Sequence, residues 1–180
     1  THLGHARIRG AFETDDQTIR LQANMTEGTV GKTNVNGYVS LGHKDLDLRI
    51  EGENTPLGFL NHYISDIFHN IRGRSTGTCR IFGGFKSIDF EGSQRASASA
   101  LLPINGVTYH LNDAEVEISP GTFRLNSATL TDSLRGTGRV QGVLNHRHLH
   151  DMRYDFAMSG NNMLLYDRPQ EDDLPFYATA

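Results

Sequence analysis

A cluster of histidines towards the C-terminal end of the chain is the first candidate for chemistry. Residues 146–151 read His-Arg-His-Leu-His-Asp and place three imidazoles at two-residue steps, those of His146, His148 and His150. In an extended segment such steps bring side chains to one face, where neutral imidazoles can bind zinc or another borderline metal. The stretch also lies between strand-like runs that end at Leu144 and begin at Met152. Exposed turn residues without a metal are therefore the favoured interpretation, and a zinc site is the alternative.

Other polar groups lack the spacing of a catalytic site. The carboxylates of Asp15-Asp16 and of Glu171-Asp172-Asp173 are adjacent along the chain, so they diverge into solvent. The run 136–142 (Gly-Thr-Gly-Arg-Val-Gln-Gly) imitates a phosphate-binding loop, but its glycines alternate at strand spacing and no helix follows. No serine or cysteine stands in a nucleophile elbow. We therefore expect no enzymatic activity.

Composition narrows the class of partner. The 180 residues carry a net charge of −4, and no basic stripe of the kind that nucleic-acid backbones require is present. The sequence contains no apolar run of roughly 18 residues and no signal peptide, so any membrane contact is expected through parts of the protein outside this segment. The single cysteine, Cys79, rules out an intrachain disulfide and is interpreted as a small buried residue.

Alternation of apolar and polar residues dominates the chain. Runs such as 19–25, 46–50 and 154–158 each keep one apolar face, and charged or polar residues occupy the other. Gaps of one to five residues favour antiparallel hairpins over helical crossovers, with turns expected at Gly83-Gly84, at residues 111–113 and at Asn105-Gly106. The pattern predicts a mainly β protein whose antiparallel sheet has one wet face.

A glycine-bounded motif occurs more than once. Residues 37–52 and 77–92 align under a shift of forty positions, and a looser third copy spans residues 138–160. Self-similarity at a period of about 20 to 50 residues is typical of stacked architectures, because one repeat cannot bury its apolar face alone. Residues 1–180 are therefore expected to form a single β-rich repeat segment, a piece of a longer chain.

One segment breaks the two-residue period. From Thr55 to Ile71 the apolar residues follow helical spacing, Pro56 suits the first helical position, and Gly73 follows the end. This spacing predicts one amphipathic helix over about residues 56–71 that packs against the end or mouth of the sheet.

The stretch from Phe59 to Asp167 resembles the TamB family, the translocation and assembly module related to AsmA, and especially its C-terminal region. The motifs that carry the resemblance are ordered along the chain: residues 59–61 (Phe-Leu-Asn), 66–68 (Asp-Ile-Phe), 106–114, 123–132, 136–146, 150–156 and 161–167. Residues 174–177 (Leu-Pro-Phe-Tyr) resemble the start of the next family repeat. Lys86-Ser-Ile88 and the serine- and alanine-rich residues 93–100 depart from the family pattern.

The resemblance implies a fold and a function. It implies an elongated sheet curled into an open apolar trough, a β-taco, in a periplasmic protein anchored to the inner membrane by a segment not present here. Such proteins need no cofactor; they are implicated in moving phospholipid towards the outer membrane and, with an outer-membrane β-barrel partner, in protein assembly or secretion. A sheet face with no helices to cover it is also an exposed apolar patch of the kind that marks an interaction site.

The leading hypothesis is a non-enzymatic segment whose apolar groove holds phospholipid acyl chains. The groove residues expected are Leu46, Leu48, Ile50, Ile88, Phe90, Tyr109, Val116, Phe123, Leu125, Tyr154, Phe156 and Met158. Two alternatives stay open: an assembly module that pairs its strand edges with β-barrel substrates or the partner without carrying lipid, and a closed β-sandwich with a dry core.

Overall fold

One antiparallel sheet accounts for the fold. The structure is a computed structural model that describes residues 5–27, 31–62, 64–65, 68–148 and 150–167. Each strand pairs with its sequence neighbours, in the order β1 to β10, so that β1 and β10 are the edges of a sheet that does not close. The strands are β1 (His5–Glu13), β2 (Thr18–Glu27), β3 (Gly31–Ser40), β4 (Asp45–Pro56), β5 (His69–Gly84), β6 (Ser87–Leu102), β7 (Val107–Ser119), β8 (Thr122–Asp132), β9 (Thr137–Arg147) and β10 (His150–Asn161). The predicted open antiparallel β fold is confirmed.

The outer face of the sheet is polar. At its centre the guanidinium of Arg80 donates to both carboxylate oxygens of Asp47, at 2.8 and 2.6 Å, and to Glu91 at 2.8 Å. Hydrogen bonding to Arg80 lowers the pKa of Asp47, and the same contacts raise the pKa of Arg80. These groups remain in contact with water, so their pairing aligns neighbouring strands more than it stabilises the fold.

The sheet bends strongly between β6 and β9. In a flat sheet these strands would lie about 14 Å apart, three spacings of roughly 4.8 Å. Instead the backbone N–H of Gly121, in the β7–β8 turn, donates to Asp89 of β6 at 2.9 Å. The Nδ1 atom of His148 lies 3.3 Å from the carbonyl oxygen of Ile88. The ends of β6 and β9 therefore close over the tip of the β7–β8 hairpin, and the open sheet is curled.

Bulges keep the apolar residues of long strands on one side. Extra residues interrupt the pairing of β4, β5, β7, β8 and β10. In all but β8 an asparagine or aspartate with positive φ lies at the interruption: Asn54 (55°), Asn70 (53°), Asp113 (48°) and Asp151 (49°). Short polar side chains tolerate this left-handed conformation better than other non-glycine residues. The turn predicted at residues 111–113 is therefore wrong; it is a bulge inside β7, where Ser97 accepts the N–H of Asp113.

Two other predicted connections lie elsewhere. Gly83 and Gly84 end strand β5, and the hairpin turn consists of Phe85 and Lys86. Strand β9 continues to Arg147 and β10 begins at His150. The connection expected between Leu144 and Met152 is therefore much shorter, because the polar residues at its ends pair as strand.

The helix predicted over about residues 56–71 is largely replaced by other structure. Strand β4 extends to Pro56 and β5 begins at His69, which leaves a 3₁₀ helix at Gly58–His62. The side chain of Asn61 holds this turn to the sheet, since it donates to the carbonyl of Ile71 and accepts the Ile71 N–H. The Ile64 N–H also donates to the Leu60 carbonyl, and the Phe68 N–H donates to the Ile64 carbonyl. Tyr63, Asp66 and Ile67 lie outside the described residues.

The glycines that open the first two repeats have similar backbone conformations. Gly37 of β3 has φ of 148° and Gly77 of β5 has φ of 157°. A Cβ atom would lie 1.9 Å from the Asp47 carbonyl oxygen at Gly37, and 2.2 Å from that of Ser93 at Gly77. At both positions the next strand approaches too closely for any side chain. The two hairpins differ in register, because Gly37 pairs with Leu48 whereas Gly77 pairs with Gln94.

Substitution of Gly77 by alanine should destabilise the protein. The new methyl group meets the Ser93 carbonyl oxygen at a backbone angle that side chains rarely adopt, and we expect a loss of about 2–3 kcal/mol. Urea unfolding followed by far-UV circular dichroism measures it. Gly58→Ala is the matched control, because no atom lies within 4 Å of a Cβ placed there. Equal stability of the two variants would contradict the close approach.

Candidate functional site

The candidate site is the apolar face of the sheet. Direct cross-strand pairing links one residue of every strand into a single row, and only one member, a glycine, lacks a side chain. The row contains Ile8, Ala23, Val35, Ile50, Cys79, Gly92, Ile118, Phe123, Leu144 and Tyr154. Because cross-strand neighbours project to the same side, this row defines one continuous apolar surface.

The predicted groove residues all belong to this face, but they differ in exposure. The predicted groove residues on β4, β6, β7 and β8 are partly buried by their neighbours, with the exception of Tyr109. Those of the edge strand β10 are open, with 67% of Tyr154, 46% of Phe156 and 43% of Met158 exposed. Tyr109 is only 9% exposed and belongs to the core of the protein, so it offers no open surface.

The opposite edge extends the face beyond the residues predicted. Ile8 and Phe12 of β1 and Ile19 of β2 lie on the same side and are 65%, 58% and 37% exposed. Their alternation was visible in the sequence, yet only pairing to β3 shows that they continue the row. Both edges of the sheet therefore present uncovered apolar side chains.

The accessible area agrees with a face that protein does not cover. The chain exposes 12078 Å². A compact monomer of 20 kDa exposes about 8,700 Å² by the usual scaling of surface with mass. A single-layer sheet with one uncovered face contributes to this excess.

A return segment, residues 162–167, closes one end of the face. After β10 the chain crosses towards the β6–β7 turn, where the Asp167 N–H donates to the Asn105 carbonyl at 2.8 Å. Met163 is 2% exposed and lies on Gly138 and Gly160, where any side chain would collide with its sulfur. It joins the main buried cluster, formed with Val107, Tyr109 and Leu130. The apolar face is thus filled by the protein at this end.

Asp132 fixes the return segment through its charge. The buried carboxylate accepts backbone N–H groups from Leu134, Gly136 and Leu164. Burial raises its pKa, but the three hydrogen bonds outweigh that effect and the pKa lies below its ordinary value. Tyr109 adds a bond from its hydroxyl to the Leu164 carbonyl at 3.0 Å.

An aromatic cluster lies at the other end of the face. His146 is 8% exposed, and its ring centroid is 5.0 Å from that of Phe123 and 6.1 Å from that of Phe90. Burial lowers the pKa of His146; nearby Asp89 partly opposes this effect and His148 adds to it. A neutral imidazole therefore packs here as an aromatic ring.

The three candidate metal ligands have different surroundings. His146 is an inward residue of β9, His148 occupies the following turn, and His150 is exposed at the start of β10. No group of three histidine, cysteine or acidic side chains with metal-binding geometry occurs in the part of the chain that the structure describes. The interpretation of His146 as an exposed turn residue is wrong, because β9 extends past it.

The remaining residues that the sequence singled out lie at separate places in the structure. Asp15 and Asp16 are exposed in the β1–β2 turn, and Glu171–Asp173 lie outside the described residues. The glycines of residues 136–142 make room for side chains, since Met163 covers Gly138 and Phe156 covers Gly142. Cys79 is in the middle of the apolar row, and burial raises the pKa of its thiol.

No protein-family model, curated protein or solved structure matches this chain. The face is therefore interpreted from its own geometry. Within the described residues, no helix has the length and apolar character needed to cross a membrane.

Replacement of Asp132 by alanine should release the return segment. It leaves three backbone N–H groups without their charged acceptor, and we expect a loss of about 2–4 kcal/mol. Urea unfolding measures the loss, and amide exchange at Leu164 should accelerate. Asp155→Ala, at an exposed position of β10, is the control. Unchanged exchange at Leu164 in Asp132→Ala would show that other contacts hold the segment.

His146 should make stability depend on pH. Its folded pKa lies below the ordinary 6.5, so as pH falls from 7 through 6.5 the unfolded chain takes up a proton that the folded chain resists. Stability is therefore lost on acidification until the folded imidazole also titrates. The variant His146→Phe keeps a ring against Phe90 and Phe123, and should lose less stability between pH 7 and pH 5 than the wild type. His110→Phe, at an exposed position of β7, should retain the wild-type dependence.

Proposed function

We propose that the apolar face binds the hydrocarbon chains of phospholipids, and that the chain is a non-enzymatic segment of a lipid-conducting surface. The observation that carries this proposal is the row of residues that crosses all ten strands while its edge members remain uncovered. A contiguous exposed apolar surface of this kind marks an interaction site on a protein.

Hydrocarbon suits the face for a physical reason. Each methylene group removed from water contributes about 0.8 kcal/mol and requires no directional partner. The row follows nine strand spacings of roughly 4.8 Å, a contour of about 43 Å, against a bilayer hydrocarbon core of about 30 Å. An acyl chain can therefore lie along the exposed parts of the row and exchange between positions of similar chemistry.

The resemblance to the TamB family supplies a cellular setting for this proposal. We place the chain in the periplasm, within a longer TamB/AsmA-like protein that an inner-membrane anchor tethers. Its face would carry phospholipid between the inner and outer membranes and support assembly or secretion of outer-membrane proteins with a β-barrel partner. The open, curled sheet is the feature of the structure that agrees with this setting.

The sheet edges support a second candidate function. Among the described strands, β1 and β10 each have one hydrogen-bonded neighbour, so each leaves one side of its backbone for another strand. A strand of a β-barrel substrate or partner could add to either edge by β-augmentation. In that case the exposed side chains of Tyr154 and Phe156 would contact polypeptide instead of lipid.

A photo-crosslinking amino acid at Phe156 distinguishes these functions. In the presence of vesicles of phosphatidylethanolamine and phosphatidylglycerol, it should capture phospholipid, because its side chain projects from the uncovered face. Mass spectrometry of the purified adduct identifies the captured molecule. The same probe at Asp155 is the matched control, since this neighbour on β10 projects to the outer face.

The outcome decides between the candidates. Lipid captured at Phe156 and absent at Asp155 supports the lipid-binding face. Polypeptide captured from a periplasmic extract, without lipid, favours strand addition. Equal lipid labelling at both positions contradicts a specific face, because the two side chains project to opposite sides of the sheet.

A further inference from the structure

A second row of the inner face changes character in the middle of the sheet. This row begins with apolar residues at Ala6 and Met25 and ends with Val116, Leu125, Gly142 and Phe156. Between these ends, on β3 to β6, it contains Thr33, Gly52, Gly77 and Gln94. A polar interruption therefore lies directly beside the apolar row at Ile50 and Cys79.

Polar side chains cover the two glycines. The hydroxyl oxygens of Thr33 and Thr55 are 2.9 Å apart, and the Thr55 oxygen lies 2.6 Å from where a Gly52 Cβ would be. The carboxamide carbon of Gln94 lies 3.1 Å from the Cβ position of Gly77. Thr55 pairs across the strands with Ser75. Thr33, Thr55, Ser75 and Gln94 thus form one polar patch over a glycine floor.

Two members of the polar patch have unused hydrogen-bonding groups. Ser75 is only 9% exposed, yet its hydroxyl makes no side-chain hydrogen bond to the described residues. The half-buried carboxamide of Gln94 likewise has no hydrogen bond to them. Neither group is sealed from solvent, so both can bond to water or to a ligand that lies on this face.

Pure hydrocarbon is a poor occupant of the polar patch. Covering an unpaired hydroxyl or amide with an alkyl chain costs roughly 1–3 kcal/mol for each group, which offsets the burial of several methylenes. All four side chains of the patch are uncharged. A phosphate or carboxylate would therefore be desolvated there without a cation to balance it, at a larger cost.

We propose that the polar patch binds the uncharged, hydrogen-bonding part of an amphiphile, such as a glycerol ester, while its alkyl chain lies on the adjoining apolar row. This proposal rests on the proposed function. The polar patch would fix the position along the face at which the polar linkage of a bound lipid lies. Gln94 can both donate and accept, and the three hydroxyls can do the same, which matches esters and hydroxyl groups.

Matched amphiphiles with one lauryl chain test the proposal. The native thiol of Cys79 lies in the adjoining row, so its protection from maleimide reports occupancy without a label. Monolauroylglycerol should protect it at a concentration about tenfold lower than laurate or lauryl phosphate, each titrated below its micelle concentration. Isothermal titration calorimetry on the same protein checks the affinities.

Variants separate the polar patch from the apolar face. Gln94→Leu and Ser75→Ala should each weaken monolauroylglycerol severalfold and leave laurate unchanged. Ser93→Ala, exposed on the outer side of β6, is the control. Equal affinities for the three amphiphiles in the wild type would refute the polar patch and leave the lipid-binding face intact. Absence of protection by all three would refute both, and tighter binding of an anionic amphiphile would refute the uncharged specificity.

Discussion

The two-residue period of the β-strand is the constraint on which this structure depends. Side chains alternate between faces, so a ten-stranded sheet keeps one apolar face only if each strand stays in phase with the strands it pairs with. The bulges maintain that phase where long strands bend. At Asp113, for example, one extra residue in β7 keeps Ala114 and Leu111 on the same side. The curl, the core and the candidate site all follow from this alignment.

Different interactions stabilise the two ends of the apolar face. At one end the charge of Asp132 organises backbone N–H groups, and Met163 fills the space that glycines leave. At the other end aromatic rings from β6, β8 and β9 pack together without a charge at the centre. Between them the sheet is one layer thick. The protein therefore concentrates its buried contacts at the ends of β6 to β9, whereas the edge strands β1 and β10 keep apolar side chains exposed.

Sequence reasoning recovered the strands and their faces because alternation is local information. It placed Leu48, Phe90 and Phe156 on one side correctly, since each belongs to a clear alternating run. It misread residues 111–113 as a turn, because a bulge and a turn share the same asparagine and aspartate signal. The return segment could not be predicted from the sequence, because strand pairing brings together Gly138 and Gly160, the residues that Met163 contacts. The polar patch was missed for the same reason, as its members come from four strands.

The bulge at Asp113 also limits how the gene can change. Removal of this one residue would leave both halves of β7 as strand, but would rotate residues 107–111 by one position. Thr108 and His110 would then enter the core, and Val107, Tyr109 and Leu111 would reach solvent. Single-residue deletions inside such strands exchange the faces of half a strand, whereas exposed four-residue turns such as residues 14–17 and 41–44 tolerate changes in length better. Length variation among descendants of this sequence is therefore expected at the turns.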